Sequence, residues 1–396
     1  MGRGTSALVA DMTAETSFVY DALPGRVVFG CGAGRSRLAS ELERAGAERV
    51  LLIAAAAERE LAQRLVAPLG GRVVDLFDDV RPHVPVAIAE RARGSARAAG
   101  ADWLLSVGGG STTGTAKAVA LELGLPIAAV PTTYAGSEMT PVWGLTEAGR
   151  KTTGRSAAVL PRLVVYDPEL TVSLPPSITG PSAVNALAHC IEAFYAPGTS
   201  PIAALLAEEG IRGLAKGTPA AVARPDDLGA RSAALYGAYL AGAAFALAGS
   251  DLHHKICHVL GGALDAPHAE THTVLLPHVV GHLEPALAQP MARIGAALGV
   301  PESGGSVAPA LYDFVAGIGA PTALRELGLD LGDLHGVVPE ILAQVPPTTP
   351  RSPTAEDLRA LLTAAWEGER PNSTDLPPAN KERGWTSSSS PPPAIV

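Results

Sequence analysis

Residues 103–120 read WLLSVGGGSTTGTAKAVA, an apolar run that passes through three glycines into a helical pattern. Glycine lets a backbone approach a ligand closely, and the N–H groups that open a helix attract phosphate. The pattern therefore predicts a strand, a turn and a helix that hold a pyrophosphate, with a bare tight turn as the alternative. The predicted phosphate-binding residues are Gly108, Gly109, Gly110 and Ser111.

Five other short apolar runs in the first half predict strands buried on both faces. They lie near Arg26, Val50, Val73, Ile127 and Leu163. Because helical patterns alternate with them, the first half predicts a parallel, doubly wound sheet. From Ser182 onward the pattern is Ala-rich and helical, without a convincing strand. We therefore predict an α/β N-terminal doubly wound dinucleotide-binding domain followed by an all-α C-terminal domain.

The domain boundaries follow from the same change of pattern. We expect the α/β domain over residues 16–174 and the helical domain over residues 175–368. Residues 1–15 predict a flexible N-terminus. Residues 369–396 are rich in Pro and Ser and cannot build a core, so they predict a disordered tail.

A second turn, VPTTYAGSEMT at residues 130–140, also leaves a strand end and carries hydroxyl side chains. These groups can bond phosphate, ribose or the nicotinamide amide, and they are Thr132, Thr133, Ser137 and Thr140. Both turns should lie at the carboxyl edge of one sheet, where doubly wound folds bind ligands. The strand near Leu51, in contrast, ends in Ala54 and Ala55 and offers no carboxylate to a ribose 2′-OH. We therefore expect weak discrimination between NADH and NADPH.

Histidines crowd one part of the second half. Seven of the ten lie between Asp251 and His282, at His253, His254, His258, His268, His272, His278 and His282. Buried imidazole needs a partner, so this density is unusual for core helices. Upstream, Asn185 and His189 are four residues apart and share one face of a helix. Histidines at such spacing predict either a divalent-metal pocket or a cluster of proton donors.

The composition excludes several classes of protein. The net charge is −9 and no Lys/Arg run occurs, which argues against a nucleic-acid partner. The chain is 47% hydrophobic and 17% charged, which is typical of soluble globular proteins. Three cysteines are too few for a disulfide framework, and neither a leader nor an apolar span of membrane length is present. We expect a cytoplasmic protein with no membrane partner.

Four segments together resemble the maleylacetate reductases, a branch of the iron-containing alcohol dehydrogenase family with a dehydroquinate synthase-like fold. They are GGGSTTGTAK, PTTYAGSEMTPVWGLTEAGRKTTGR, VNALAHCIEAFYA and HHKICHVLGGALDAPHAETHTVLLPH. The resemblance runs from about Phe18 to Trp366. It implies an active site in the cleft between the two domains, NADH or NADPH as cofactor, and a homodimer.

The resemblance also bears on whether the protein binds a divalent metal. In metal-dependent relatives an Asp, a His four residues later and two further His hold the ion. By motif, His189, His254 and His268 fill the three His positions, while Asn185 stands at the Asp position. A neutral amide binds Fe²⁺ or Zn²⁺ much less well than a carboxylate, although three imidazoles can hold zinc. We interpret the pocket as one with a weak or absent metal, as is typical of the maleylacetate branch.

The substrate that the resemblance implies is maleylacetate, a dicarboxylate enone that is reduced to 3-oxoadipate. Hydrogen-bond donors or an imidazolium can polarise the ketone oxygen of an enone, and a Lewis acid is not necessarily required. We expect His254 and His258 to polarise the ketone and deliver the proton, with His189, His268 and Asn185 shaping the pocket. The candidates for carboxylate binding are His253, Lys255, Arg150 and Arg155. Lys151 follows a position that contacts the cofactor ribose in the wider family.

Three alternatives stay open. The chain could be a metal-dependent alcohol dehydrogenase acting on a simple alcohol, which Asn185 and the cationic HHK run at residues 253–255 oppose. It could be a dehydroquinate synthase-like lyase, which uses NAD catalytically and consumes no NADH. It could also be a diverged relative that acts on another carbonyl acid in a biosynthetic pathway.

Overall fold

One parallel sheet organises the first half of the chain. The structure is a computed structural model that describes residues 18, 20, 22–23, 25–147, 150–301 and 305–371. The strands of the described residues are β1 (Arg26–Phe29), β2 (Val50–Ile53), β3 (Val73–Phe77), β4 (Trp103–Gly108), β5 (Ile127–Pro131), β6 (Val142–Glu147), β7 (Arg150–Arg155) and β8 (Leu163–Tyr166). Six of them form the sheet in the order β1-β8-β5-β4-β2-β3, and every pairing is parallel. All six predicted strands are confirmed.

Helices cover both faces of this sheet. They are α1 (Ala33–Ser36), α2 (Leu38–Arg44), α3 (Arg59–Val66), α4 (Val86–Ala99) and α5 (Gly110–Leu123). Leu38 of α2 and Leu65 of α3 pack in one apolar core with Leu105 of β4. Ala92 of α4 and Val119 of α5 pack in another core on the opposite face. Because both faces are covered, the central strands are fully buried, which explains their uninterrupted apolar sequence.

A two-stranded antiparallel hairpin, β6–β7, was not predicted from the sequence. Its Thr146 donates a backbone hydrogen bond to the carbonyl of Val84 (3.1 Å) and a side-chain hydrogen bond to the carbonyl of His83 (2.8 Å). At its other end, the guanidinium of Arg155 donates to the carbonyl of Ala246 in the helical domain. The hairpin therefore links the turn after β3 to the second half of the chain.

The second half is helical, as predicted. Its helices are α6 (Pro176–Glu192), α7 (Pro201–Ala223), α8 (Leu228–Ala248), α9 (Leu252–Leu264), α10 (His268–Leu283), α11 (Ala288–Leu298), α12 (Val307–Gly317), α13 (Leu331–Gly336), α14 (Val338–Gln344) and α15 (Ala355–Glu367). Small residues let α7 and α8 approach closely, since a methyl group at Gly217 would lie 2.4 Å from the backbone nitrogen of Ala234. The Ala- and Gly-rich composition is thus a packing requirement. The predicted fold class, an α/β doubly wound domain followed by a helical domain, is confirmed.

Two predictions concern segments at the ends of the chain. The predicted flexible N-terminus at residues 1–15 lies outside the described residues, and so does the predicted tail beyond Pro371. Among the described residues, no single helix has the length and apolarity needed to cross a membrane. Only α8 and α9 taken together reach that length, and the pair is bent by 97° and contributes many residues to the helical core.

Candidate active site

The glycine-rich turn between β4 and α5 has no room for a side chain at Gly108 and little at Gly109. A methyl group at Gly108 (φ 150°) would lie 2.3 Å from Oε2 of Glu58 and 2.5 Å from Oγ1 of Thr112. A methyl group at Gly109 would lie 3.1 Å from Cγ2 of Thr133. Helix α5 begins directly afterwards, and no side chain caps its N-terminal N–H groups. Free helix N–H groups beside a backbone with no side chains fit a pyrophosphate.

The second turn, residues 132–140, lies against the first. The hydroxyl of Thr132 donates to Oε1 of Glu58 (2.5 Å), and the side chain of Thr133 faces Gly109. Thr140 has a different role from the one predicted, because its hydroxyl accepts a hydrogen bond from Nζ of Lys117 (2.9 Å) and donates to the carbonyl of Ser137 (3.1 Å). Thr132 and Thr133 therefore reach the predicted nucleotide edge, while Thr140 is committed to bonds within the turn.

Lys117, which the sequence analysis did not single out, fixes this turn. Its Nζ also donates to the carbonyls of Ser137 (2.6 Å), Thr140 (2.7 Å) and Val142 (2.8 Å). Burial lowers the pKa of Lys117 to about 7, against the effect of the nearby Glu138. A buried amine with several oxygen acceptors is fully satisfied. Lys117 therefore stabilises the turn, and its amine has no hydrogen bond left for the cofactor.

The same turn contacts the helical domain. The backbone N–H of Tyr134 donates to Oγ of Ser182 (3.0 Å), and the Tyr134 hydroxyl accepts from the buried guanidinium of Arg231 (3.2 Å). A methyl group at Gly136 (φ 76°) would lie 3.4 Å from Nδ1 of His189. The predicted nucleotide edge and the predicted histidine pocket are therefore neighbours.

The histidine rings of α6, α9 and α10 stack into one continuous cluster. His189 stacks on His254 with ring centroids 4.9 Å apart, and His254 meets His272 edge to face at 4.6 Å. His272 contacts His268 at 4.4 Å, and His268 stacks on His258 at 6.4 Å. The structure thus brings together the four histidines predicted as catalytic, and it adds His272 to them.

A buried carboxylate that the sequence analysis missed supports this cluster. Glu192 is fully buried, and its Oε2 accepts a short hydrogen bond from Nδ1 of His254, while Oε1 accepts from the His254 backbone N–H (3.2 Å). Burial opposes the ionisation of Glu192, but the neighbouring imidazole of His254 keeps the pKa of this carboxyl below its usual value. The bond directs Nε2 of His254 away from Glu192, and that atom is buried without a protein partner. The carboxylate therefore fixes the orientation of the His254 ring.

Most of the surrounding histidines are neutral at pH 7. Burial and then the neighbouring imidazoles lower the pKa values of His189 and His272 well below the ordinary value. Burial also lowers the pKa of His253 and of His278 to about 4. The rings of His189, His253 and His272, which contact His254, are therefore uncharged at pH 7.

These neutral histidines make the fold sensitive to acid. The unfolded chain protonates them near pH 6.5, whereas the folded chain protonates His253 and His278 only near pH 4. Their contribution to stability is complete above pH 6.5 and is lost as the pH falls towards 4, by about 1.4 kcal/mol per histidine and pH unit. We expect a marked fall in the free energy of unfolding between pH 6.5 and 5, measured by urea denaturation. His278→Gln should reduce the slope of the free energy of unfolding against pH by the contribution of one histidine. An unchanged slope would contradict the lowered pKa of His278.

The donor set that the resemblance implies does not come together as one compact group among the described residues. Within the described parts of the chain, two groups of three donors have their ligand atoms within 4.8 Å of one another: His253, Cys257 and His272, and Glu192, His253 and His254. Neither group is the set implied by the resemblance, namely His189, His254 and His268. Where that set needs a carboxylate, the Oδ1 atom of Asn185 is buried without a hydrogen-bond partner. A neutral amide at this position, unlike a carboxylate, supplies no charge to offset a divalent cation.

A cavity of about 500 Å³ opens beside the cluster, between the two domains. His258 and His268 line it from the helical domain, and His83 and Thr146 line it from the α/β domain. The backbone is left-handed at His83 (φ 60°) and at the following Val84 (φ 49°), an arrangement that costs free energy and that clusters at functional sites. His83 was not predicted, because the fold alone brings the turn after β3 to the histidines of α9 and α10.

The structure places the predicted carboxylate-binding residues in different surroundings. His253 is fully buried, and its Nε2 pairs with the carbonyl of His272 (3.1 Å). It therefore stabilises the histidine cluster and is not exposed to a substrate. Arg155 donates to the carbonyl of Ala246, and Lys255 is half-buried on α9. The side chains of Arg150 and Lys151 lie outside the described residues.

A parallel sheet with a glycine-rich turn, set across a cleft from a helical domain with buried histidines, defines a two-domain protein of the nucleotide-binding class. The model of the iron-containing alcohol dehydrogenases matches residues 24–168, and the C-terminal model of the Fe-containing alcohol dehydrogenase family matches residues 179–366. This chain belongs to the iron-containing alcohol dehydrogenase family. The resemblance inferred from the sequence is confirmed.

Individual relatives agree with this assignment. A maleylacetate reductase of Sphingobium indicum is 47% identical over 354 residues, which are 89% of this chain and 99% of the relative. The crystal structure of a maleylacetate reductase from Agrobacterium tumefaciens is 43% identical, with a TM-score of 0.85 over 90% of this chain and all of that one. A sulfoacetaldehyde reductase from Bifidobacterium kashiwanohense, solved in complex with NAD⁺, is 25% identical, with a TM-score of 0.81 over 88% of this chain and 99% of its own.

Proposed function

We propose that this chain is an oxidoreductase that reduces maleylacetate to 3-oxoadipate in the degradation of aromatic compounds. The observation that carries the proposal is the 47% identity to a maleylacetate reductase over almost the full length of that relative. The bound nicotinamide cofactor supplies a hydride to the conjugated C=C bond of the substrate. The residues of the chain then have three tasks: holding the cofactor, polarising the ketone and supplying a proton.

The glycine turn and the second turn hold the cofactor in this proposal. Gly108 and Gly109 leave room for the pyrophosphate, and Thr132 and Thr133 line the same edge. Gly136 packs against His189, so this end of the edge would hold the nicotinamide end of a bound cofactor beside the histidine cluster.

His254 and His258 carry the acid chemistry. Glu192 accepts the Nδ1 hydrogen of His254 and offsets the charge of a ring that carries a second proton on Nε2, and this second proton is the one that His254 offers to the substrate. His258 lines the cavity, and its ring centroid lies 5.8 Å from that of His254. Donation to the ketone oxygen would stabilise the enol that hydride addition gives. When the ketone re-forms, the oxygen proton would return to the histidine and the carbon next to the carbonyl would take one proton, so the net change is one hydride and one proton. His189, His268 and Asn185 shape the pocket around this pair.

The substrate carboxylates meet donors from both domains. We assign one to His83, which reaches the cavity from the α/β domain. Lys255 is half-buried on the same face of α9 as His258 and carries the charge for the second. Asp265, Asp330 and Asp333 also line the cavity, so binding of a dianion needs Lys255 and the histidine N–H donors to offset these carboxylates.

We also propose that the protein works in the cytoplasm as a homodimer. Apolar side chains remain exposed near the edge strand β1, where Phe29 (40% exposed) packs edge to face on Tyr236 (39% exposed). Exposed aromatic groups beside an open sheet edge are typical of a subunit contact. Light scattering should therefore give about twice the 40.3 kDa of the chain.

An assay of NADH oxidation tests the proposed reaction. The purified chain should consume NADH with maleylacetate at least about a hundredfold more efficiently than with simple aldehydes or ketones, a difference of about 2.7 kcal/mol. Turnover of simple aldehydes at equal efficiency would favour an alcohol dehydrogenase. Turnover of a cyclic substrate without NADH consumption would favour a lyase, and activity on another carbonyl acid alone would favour a diverged biosynthetic enzyme.

Chelation tests the role that we assign to Asn185. We expect reductase activity to survive dialysis against a strong chelator, because imidazole donors rather than a Lewis acid polarise the ketone. Asn185→Asp should restore a carboxylate beside His189 and His254 and raise the affinity for Zn²⁺ or Fe²⁺, measured by titration calorimetry. Stoichiometric metal in the unmodified protein, with activity lost on its removal, would overturn the proposal that the ketone is polarised without a metal.

A further inference from the structure

Glu58 occupies the edge of the predicted nucleotide site. It lies in the short helical turn Ala56–Glu58 that follows β2, one turn beyond the strand end. Its Oε1 accepts the hydroxyl hydrogen of Thr132, and its Oε2 lies where a side chain of Gly108 would begin. The carboxylate is half-buried, and burial raises its pKa. No bond within the described residues requires a carboxylate here rather than an amide.

The topology of the sheet relates Glu58 to a specific part of a dinucleotide. Strand β2 is the direct neighbour of β4, whose end carries the glycine turn. In doubly wound folds, an acidic side chain on the strand next to the glycine turn binds the adenosine ribose hydroxyls, while the turn holds the pyrophosphate. Here the residue directly after the strand is Ala54, which has no carboxylate. The side chain of Glu58 nevertheless places a carboxylate at the same edge of the sheet.

Arginines near this part of the chain are engaged in ion pairs. Arg59, next to Glu58, pairs with Asp78 at the end of β3, and Arg81 pairs with Asp79 (2.8 Å). Arg91 of α4 also pairs with Asp79. Since Arg81 and Arg91 share Asp79, an additional phosphate at this edge would meet the charge of Glu58, and an arginine of these segments could approach the phosphate only by weakening its pairing with an aspartate.

We propose that Glu58 is the residue that selects NADH over NADPH, by accepting hydrogen bonds from the ribose hydroxyls and repelling a 2′-phosphate. The inference rests on the nucleotide site of the proposed function. It replaces the expectation of weak discrimination, which considered only Ala54 and Ala55 at the strand end. The signal was present in the sequence, but only the fold shows that the carboxylate returns to Gly108.

Nucleotide binding without substrate tests this assignment. NADH and NADPH are titrated by fluorescence into the full chain and into Glu58→Gln, which keeps the shape of the side chain and removes its charge. Glu60→Gln is the matched control, because Glu60 is two residues away and 89% exposed. We expect the unmodified chain to bind NADH at least about tenfold more tightly than NADPH, and Glu58→Gln to lower that ratio about tenfold.

The outcomes separate this inference from the function on which it rests. A binding ratio near one in the unmodified chain, or a ratio that Glu58→Gln leaves unchanged, would overturn the role of Glu58 while the nucleotide site stands. Failure of the unmodified chain to bind either nucleotide would instead contradict the proposed reductase. Equal melting temperatures of Glu58→Gln and Glu60→Gln exclude a general loss of structure as the cause of a changed ratio.

Discussion

His254→Gln is expected to lower the turnover number with maleylacetate by roughly a hundredfold or more, the usual scale for loss of a positioned acid. Glutamine keeps much of the volume and can still donate to Glu192, but it cannot carry the proton that the substrate needs. NADH binding should remain, because the nucleotide edge is built by other residues. Steady-state kinetics and NADH titration together measure the two effects.

His254→Gln and His254→Ala should differ in their effect on the stability of the protein. His254→Ala leaves Glu192 fully buried without its partner, and breaking a buried pair costs about 3–5 kcal/mol. His258→Ala should also lower turnover by about a hundredfold, without that loss of stability. His282→Gln is the control, since His282 lies about 21 Å further along α10 than His268. Full activity of His254→Gln would show that another group donates the proton.

Gly109→Val is expected to abolish dinucleotide binding in a folded protein. A methyl group there would already lie 3.1 Å from the Thr133 side chain, and the two further methyl groups of valine extend towards the pyrophosphate position. The residue itself adopts an extended conformation (φ −82°, ψ −165°) that valine tolerates, so the backbone is not strained. Fluorescence titration of NADH measures the loss.

The control for Gly109→Val is a glycine outside the site. Gly94 of α4 has no atom within 4 Å of an added methyl group, so Gly94→Ala should fold and bind NADH as the unmodified chain does. Circular dichroism of both variants establishes that they are folded. Unchanged NADH affinity of a folded Gly109→Val would remove the glycine turn from the nucleotide site.

The sequence predicted the features whose signal is local. A buried parallel strand is a continuous apolar run, and a phosphate turn is a run of glycines, so β4 and Gly108–Gly110 could be identified from one stretch. The histidines were identified by their density. Their grouping is confirmed by the ring contacts from His189 to His258.

The features that were missed depend on contacts between distant residues. Glu192 and His254 are 62 positions apart, and Glu58 and Thr132 are 74 positions apart. The hairpin β6–β7 escaped prediction because its second strand, RKTTGR, has no apolar alternation. Charge alone could not show that Arg155 donates to a backbone carbonyl. Such uses of side chains follow from tertiary structure and leave no periodic pattern.

The turn at residues 134–140 is fastened on both sides, and this determines how the two domains can move. Tyr134 is bonded to Ser182 and Arg231 in the helical domain, while Lys117 and Tyr166 hold Ser137 and Glu138 to the sheet. A rotation of one domain against the other would stretch these bonds unless its axis passed close to the turn. The spacing between the turn and His189 is therefore held by hydrogen bonds to both domains, at the point where the predicted nucleotide edge meets the histidine cluster.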